Sequence, residues 1–344
     1  MMTRRLGRVA ATTVATVLVA AGFATAAMAS TLDTVKERGK LVCGVNQGLQ
    51  GFAAPDAAGT WAGFDVDFCR AVAAAIFADP DKVDYVPLSA EERFPALADG
   101  RIDLLARNST WTMGRETGLG LTFVGVTYYD GQGFLLSRSA GTFSSLELDG
   151  AKVCVLSGTT SEANLADYFT DNNMAYEAVL TDSPEATLTA YRSGDCNVVT
   201  SDMSQLYAQR LKLDDADEHL VLADAISKEP LGPVVRQDDA RWATLVRWVY
   251  FAMLDAEELG IASDTVDAAL ASKKPDVRRF VGAEGGFGEQ MGVADTWAVD
   301  VVRLVGNYGE IYERSLGEGS PLGIPRGMNQ LWNRGGLQYA PPIR

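Results

Sequence analysis

Apolar positions along the chain follow two rhythms. Short apolar runs at Leu41–Val45, Lys82–Val86 and Ile102–Ala106 predict buried strands. Between them, apolar residues recur every three or four positions. Over Asp65–Phe77 this spacing puts Val66, Cys69, Val72, Ala73 and Ile76 on one face of a helix. Ser89 and Glu92 have capping-box spacing and predict a second helix through Ala98, stopped by Gly100. Strand, helix, strand, helix, strand is the order of a parallel sheet with crossover helices.

Val124–Ser137 breaks the rhythm. It is long and rich in β-formers, and predicts an extended segment passing from one lobe to another. After a linker, Arg138–Gly150, the plan restarts. Strands are predicted at Lys152–Leu156, Ala175–Val179 and Asn197–Thr200, and helices at Glu162–Thr170, Ser183–Ser193 and Ser204–Leu211. Ser183 is the expected N-cap, with Pro184 at the first helical position and Gly194 as the stop. Ile226–Gln237 returns as a second extended crossing. Two α/β lobes joined by two crossing strands form a cleft. In open α/β sheets ligands sit beyond the carboxyl ends of the strands. Here those ends carry Asn46, Asn108–Arg115, Ser157–Ser161 and Ser201-Asp202.

The ends of the chain read differently. Arg4, Arg5 and Arg8 precede the apolar run Val9–Ala27, and Ala27-Met28-Ala29 is a small-residue cleavage site. This predicts a secretory leader removed after Ala29. No second long apolar run follows, so a soluble mature protein without stable membrane insertion is expected. Near the other end, Arg241–Leu259 predicts a helix stopped by Gly260, and Asp295–Arg314 predicts one more. The Gly- and Pro-rich tail Ser315–Arg344 predicts an ordered wrap whose Leu331, Trp332, Leu337 and Tyr339 need a surface to cover them.

Apolar content of 47% and charged content of 22% fit a folded globular chain. The formal charge is −15, and losing the leader's three arginines makes it more negative still. That argues against nucleic acid or anionic membrane as a partner. The four cysteines lack Cys-x-x-Cys spacing and the single histidine is His219, which argues against zinc. In an oxidising compartment two disulfides are expected, Cys43–Cys69 and Cys154–Cys196, one in each lobe. The other pairings would tie the lobes together.

Asn108–Arg115 carries the densest candidate chemistry: small hydroxyls, then a guanidinium that matches a carboxylate bidentately. On local sequence alone, a plain strand-to-helix loop with a surface arginine accounts for it better. Asp202 has two local readings, ligand group or cap of the helix near Ser204. Arg70 and Arg93 read as solvated helix residues, and His219 as a surface loop residue.

Five stretches in order carry a family resemblance: GFDVDFCR at 63–70, RNSTWT at 107–112, YYDGQGF at 128–134, KEPLGP at 228–233 and GLQYAPPIR at 336–344. They resemble the periplasmic amino-acid-binding proteins of ABC transporters, the family-3 solute-binding proteins, and within them the general L-amino-acid-binding group. The resemblance implies a two-lobe type II α/β fold with two crossover strands as hinge. It implies lobe 1 at 30–137, lobe 2 at 138–227, a return to lobe 1 at 228–260, and an extension at 261–344 packed on the lobes. It implies Arg115 as the clamp on an α-carboxylate and Asp202 as partner of an α-ammonium. Asn108 and Thr110 line the same loop, Thr159 and Thr160 cap the carboxylate at a helix N-terminus, and Asn46 stands where many relatives carry Asp. Leu49 stands where many carry an aromatic lid. The implied function is capture of L-amino acids by hinge closure and delivery to an inner-membrane ABC permease, as a periplasmic monomer without cofactor. The competing readings are an enzyme on the same fold, dehydratase-like, and a ligand-sensing partner of a membrane receptor. No His or based nucleophile falls at the cleft to serve the first.

Overall fold

The computed structural model describes residues 30–344, so the leader read at Met1–Ala29 lies outside the described residues. The first sheet runs, in spatial order, Val83–Leu88, Leu41–Asn46, Leu104–Leu105, Val234–Arg236 and Leu121–Phe123. The first three strands are parallel, and Val234–Arg236 is antiparallel to both its neighbours. The second sheet repeats the plan with Tyr176–Thr181, Ala151–Leu156, Val198–Asp202, Gln132–Ser137 and His219–Val221. In each sheet an antiparallel strand from a crossing segment takes the fourth place. This is the two-lobe type II arrangement that the resemblance implies.

The crossing segments pair with each other. Tyr128–Asp130 and Glu229–Leu231 form a two-stranded antiparallel ribbon between the sheets. The extended run expected over Val124–Ser137 is interrupted at Gly131, where a side chain would meet the Ala225 methyl at 2.9 Å. Beyond that glycine, Gln132–Ser137 pairs with Val198–Asp202. A division after Ser137 therefore leaves on the first-lobe side a strand that belongs to the second sheet. Of Ile102–Ala106, only Leu104–Leu105 joins the ladder.

Each lobe holds one disulfide. Cys43 lies in strand Leu41–Asn46 and meets Cys69 on the buried face of helix Phe64–Phe77, with Cα atoms 6.2 Å apart. Cys154 and Cys196 bring their Cα atoms to 5.6 Å in the second lobe. Both pairings are those expected.

The C-terminal region packs on the first lobe. Helix Ala240–Leu259 starts at Asp239, whose side chain accepts from Trp242 N, and stops at Gly260 in the left-handed region. The single helix expected over Asp295–Arg314 is two, Trp297–Leu304 and Tyr308–Ser315. Gly306 at φ +113° turns the chain, and Asn307 with Glu310 forms a capping box that starts the second helix afresh. Tail and hinge are joined. Asn329 exchanges two hydrogen bonds with the backbone of Tyr129, and the Tyr308 hydroxyl donates to Thr127 O at 2.9 Å. A buried bidentate pair between Arg326 and Glu257, at 2.6 and 3.1 Å, holds the tail on helix Ala240–Leu259. Of the four tail residues expected to be covered, only Leu331 is buried; Trp332, Leu337 and Tyr339 are exposed. The Trp332 ring packs edge-on against Tyr339 and donates to Glu258, so those rings cover each other at the surface instead.

Candidate functional site

The strand ends named from the sequence converge. Asn108, Thr110 and Arg115 from the first lobe and Thr159, Thr160 and Asp202 from the second line one small cavity between the lobes. It measures about 20 Å³, room for a single water. The lobes meet across it. The Thr110 and Thr160 hydroxyls are 3.3 Å apart, and Arg93 Nη2 donates to Gly158 O at 3.4 Å. Farther out, Lys212 Nζ of the second lobe donates to Gly48 O of the first at 3.3 Å. The cleft is closed.

Local chemistry explains each position. Thr112 caps the short helix Met113–Gly118 by accepting from Arg115 N, and so turns the arginine back over its own loop. Arg115 Nη1 donates to Thr110 O at 2.8 Å, and its guanidinium lies 5.1 Å from the centre of the Phe94 ring. Burial lowers the Arg115 pKa, while Glu229 and Asp202 hold it up. Asn108 takes a positive φ of 32°, a backbone strain of the kind found at ligand loops. Its backbone N–H donates to Asp65 Oδ2 at 2.8 Å.

Asp202 begins helix Met203–Arg210 but its side chain accepts no capping hydrogen bond. The capping alternative is therefore not realised, and the carboxyl faces the cavity. Burial pushes its pKa well above the ordinary carboxylate value, and Asp130 and Glu229 add to the rise; Arg115 and Arg93 oppose it. Thr159 donates its hydroxyl to Leu156 O at 2.7 Å and opens helix Thr160–Asp171, whose first-turn N–H groups have no partner within the helix. Gln132, buried under that turn, donates to Ser161 O and to Thr200 Oγ1.

Two expected positions stand farther back. Asn46 is buried and does not line the cavity; its Nδ2 donates to Asn108 Oδ1 at 3.0 Å, so it orients a lining residue. Leu49 is buried in the first-lobe core and bridges to Ala53, away from the cavity.

Sequence reasoning missed the cationic wall. Arg93, read as solvated, is only 3% exposed and lines the cavity with its Nε unpaired. Arg107 lines it too, with Nε donating to Leu88 O, and burial lowers its pKa to about 10. The available signal was position. Arg93 opens helix Arg93–Ala98 just past the carboxyl end of strand Val83–Leu88, where a ligand loop belongs. Arg70, also read as solvated, is half-buried and paired with Asp81 and Asp67. His219 is half-buried rather than free in a loop; it begins a strand and its Nδ1 lies 2.8 Å from the Tyr191 hydroxyl.

Two lobes on a ribbon hinge, closing on a cavity with a guanidinium from one side and a carboxyl from the other, define a bilobal solute-binding protein. The chain belongs to the bacterial extracellular solute-binding proteins, family 3, whose model matches residues 41–265. It is 54% identical to the general L-amino acid-binding periplasmic protein AapJ of Rhizobium johnstonii, over 93% of this chain and 95% of that protein. It is 50% identical to the glutamate/glutamine/aspartate/asparagine-binding protein BztA of Rhodobacter capsulatus, over 95% of this chain and 97% of that one. A solved periplasmic binding protein from Brucella ovis with glutathione bound superposes with a TM-score of 0.91 at 52% identity, covering 92% of this chain and all of that one. These relatives are named for binding solutes, and they give the dehydratase-like reading no support.

Proposed function

We propose that the protein captures L-amino acids in the periplasm and delivers them to an ABC permease of the inner membrane. The observation that carries this reading is that Arg115 and Asp202, from opposite lobes, face one cavity. A ligand bearing both a carboxylate and an ammonium bridges them, and so binds the closed form better than the open one. The α-carboxylate takes the Arg115 fork and the free N–H groups at the start of helix Thr160–Asp171. The ammonium takes Asp202, with Thr110 and the Asn108 loop around it. The lobes touch across the cavity here, so the ligand enters with them parted. The unpaired Arg93 Nε favours a side chain that carries an oxygen acceptor. That fits glutamate, glutamine, aspartate and asparagine, for which the Rhodobacter relative is named. Glutathione also presents an α-amino-acid head, at its γ-glutamyl end, so γ-glutamyl peptides are a second ligand class to test. The mature protein is secreted after loss of Met1–Ala29 and acts as a monomer.

A thermal-shift screen of the mature protein against all L- and D-amino acids and glutathione tests the reading, because a ligand of the native state raises the melting temperature. Stabilisation by several polar L-amino acids is expected. No shift with any amino acid overturns it.

A further inference from the structure

Glu229 belongs to the hinge ribbon and is 1% exposed. It does not line the cavity but stands behind it. Its carboxylate accepts four hydrogen bonds. Thr110 and Thr160 hydroxyls reach Oε2 at 2.5 and 2.9 Å, and Asn164 Nδ2 and the Ser227 hydroxyl each reach Oε1 at 2.7 Å. Thr160 and Asn164 sit one turn apart on one helix, so the second lobe offers Glu229 a single face. Thr110 comes from the first lobe and Ser227 from the approach to the hinge strand. No Lys, Arg or His among the described residues forms an ion pair with Glu229.

A hydroxyl has one proton and two lone pairs. At Thr110 and Thr160 the proton is committed to Glu229, which leaves only lone pairs to turn toward the cavity. A hydroxyl that donates to a carboxylate is also a stronger acceptor, because the two bonds polarise one another. Both threonines line the cavity. Their edge of the site is therefore built to receive a donor and to refuse an anion.

We propose that Glu229 is the positioning residue that sets the hydroxyl polarity of Thr110, whose backbone bridges to Leu231 of the same hinge strand, and of Thr160 once the second lobe closes, so that the pair accepts the ligand's ammonium only in the closed form. The proposal rests on the amino-acid reading above and deepens it. Opening the cleft removes Thr160 and Asn164 from the carboxylate, so ammonium recognition and lobe closure are one event. It also places Thr160 on the ammonium side through its hydroxyl, while its backbone N–H remains with the carboxylate.

The test compares Glu229→Gln with wild type by calorimetry. The probes are the tightest L-amino acid from the thermal-shift screen and its counterpart with hydrogen in place of ammonium (glutarate, where that amino acid is L-glutamate). Glu229→Gln is expected to lose at least about tenfold in amino-acid affinity, the worth of one charge-assisted hydrogen bond. The des-amino counterpart is expected to lose less than about threefold, since it never used the hydroxyl lone pairs. A role confined to packing would weaken both ligands equally, and that result overturns the proposal. The double variant Thr110→Val/Thr160→Val supplies a second arm, which stands alone if Glu229→Gln does not fold. It should erase the same selectivity, and adding Glu229→Gln to it should change nothing further. Retained selectivity in the valine variant, or additive losses in the triple variant, also overturn it. Failure of the amino-acid reading is told apart at the outset: there the wild type binds no amino acid at all.

Discussion

Asp65 accepts the backbone N–H of Asn108 at 2.8 Å, and so ties the ligand loop to the first turn of helix Phe64–Phe77. The carboxyl is 5% exposed, and burial raises its pKa from 3.8 to about 7 against the pull of the Asn108 N–H and of Arg107. The folded state thus holds this proton more tightly than the unfolded chain. Its contribution is fully present below about pH 4 and is lost as pH rises through about 7. Three units correspond to at most about 4 kcal/mol at 1.36 kcal/mol each. Asp255, raised to about 7 by burial and by Glu258, adds in the same direction.

Asp65→Asn keeps an acceptor for Asn108 N–H and cannot ionise. Denaturant unfolding between pH 4 and 8 should show the variant gaining on wild type as pH rises, with the gap level above about pH 8. A gap that does not change with pH would contradict this account.

Arg115→Ala should weaken amino-acid binding by roughly 100-fold or more, the worth of two charge-assisted hydrogen bonds. No residue of the short helix Met113–Gly118 is fully buried, so losing the Arg115 bond to Thr110 O and its packing on Phe94 should lower the melting temperature without ligand only modestly. Arg115→Lys should recover little, because a point charge cannot make the fork. Near-wild-type affinity in calorimetry for either variant would remove Arg115 from the carboxylate.

Asp202→Asn should separate ligand classes, because the side chain caps nothing and its loss leaves helix Met203–Arg210 intact. Amino acids should lose far more than acids lacking the ammonium. There is a pH signature as well. Burial holds the Asp202 pKa well above the usual range in the free protein, and an arriving ammonium favours the ionised form. Binding below the raised pKa therefore expels a proton, and affinity climbs with pH until Asp202 is ionised without ligand. Calorimetry in buffers of different ionisation enthalpy should detect the released proton in wild type and lose it in Asp202→Asn.

Much of this is legible in the sequence. The two-lobe plan follows from apolar periodicity, and the positions of Arg115, Asp202 and the threonines follow from loops at strand ends. Ser183 with Pro184 and Gly194 bounds its helix as read, because caps are local chemistry. What escaped was tertiary. Arg93 looks solvated in a helical window, yet it packs on Phe94 and meets the second lobe at Gly158 O. Glu229 looks like an ordinary strand charge, and its four donors come from three separate stretches of chain. The break at Gly306-Asn307 was readable as Asn with Glu three residues on, but the apolar period runs straight across it.

Arg93→Met should reveal what the cationic wall contributes. The substitution keeps a long apolar stem beside Phe94, where the guanidinium now lies 4.7 Å from the ring centre, and removes the unpaired Nε. Ligands whose side chains carry an oxygen acceptor, such as L-glutamate and L-glutamine, should lose about tenfold or more through one missing charge-assisted hydrogen bond. L-Alanine, which leaves Arg93 untouched, should change by less than about threefold, and that residual change reports the lost lobe contact to Gly158 O. The charge also matters beyond the bond: Arg93 is one of the two cations that oppose the rise in the Asp202 pKa. Removing it lets that pKa climb further, so the pH at which amino-acid affinity levels off should move upward in the variant. Uniform weakening of all amino acids with an unmoved pH profile would assign Arg93 to lobe closure alone and leave side-chain selection to other residues.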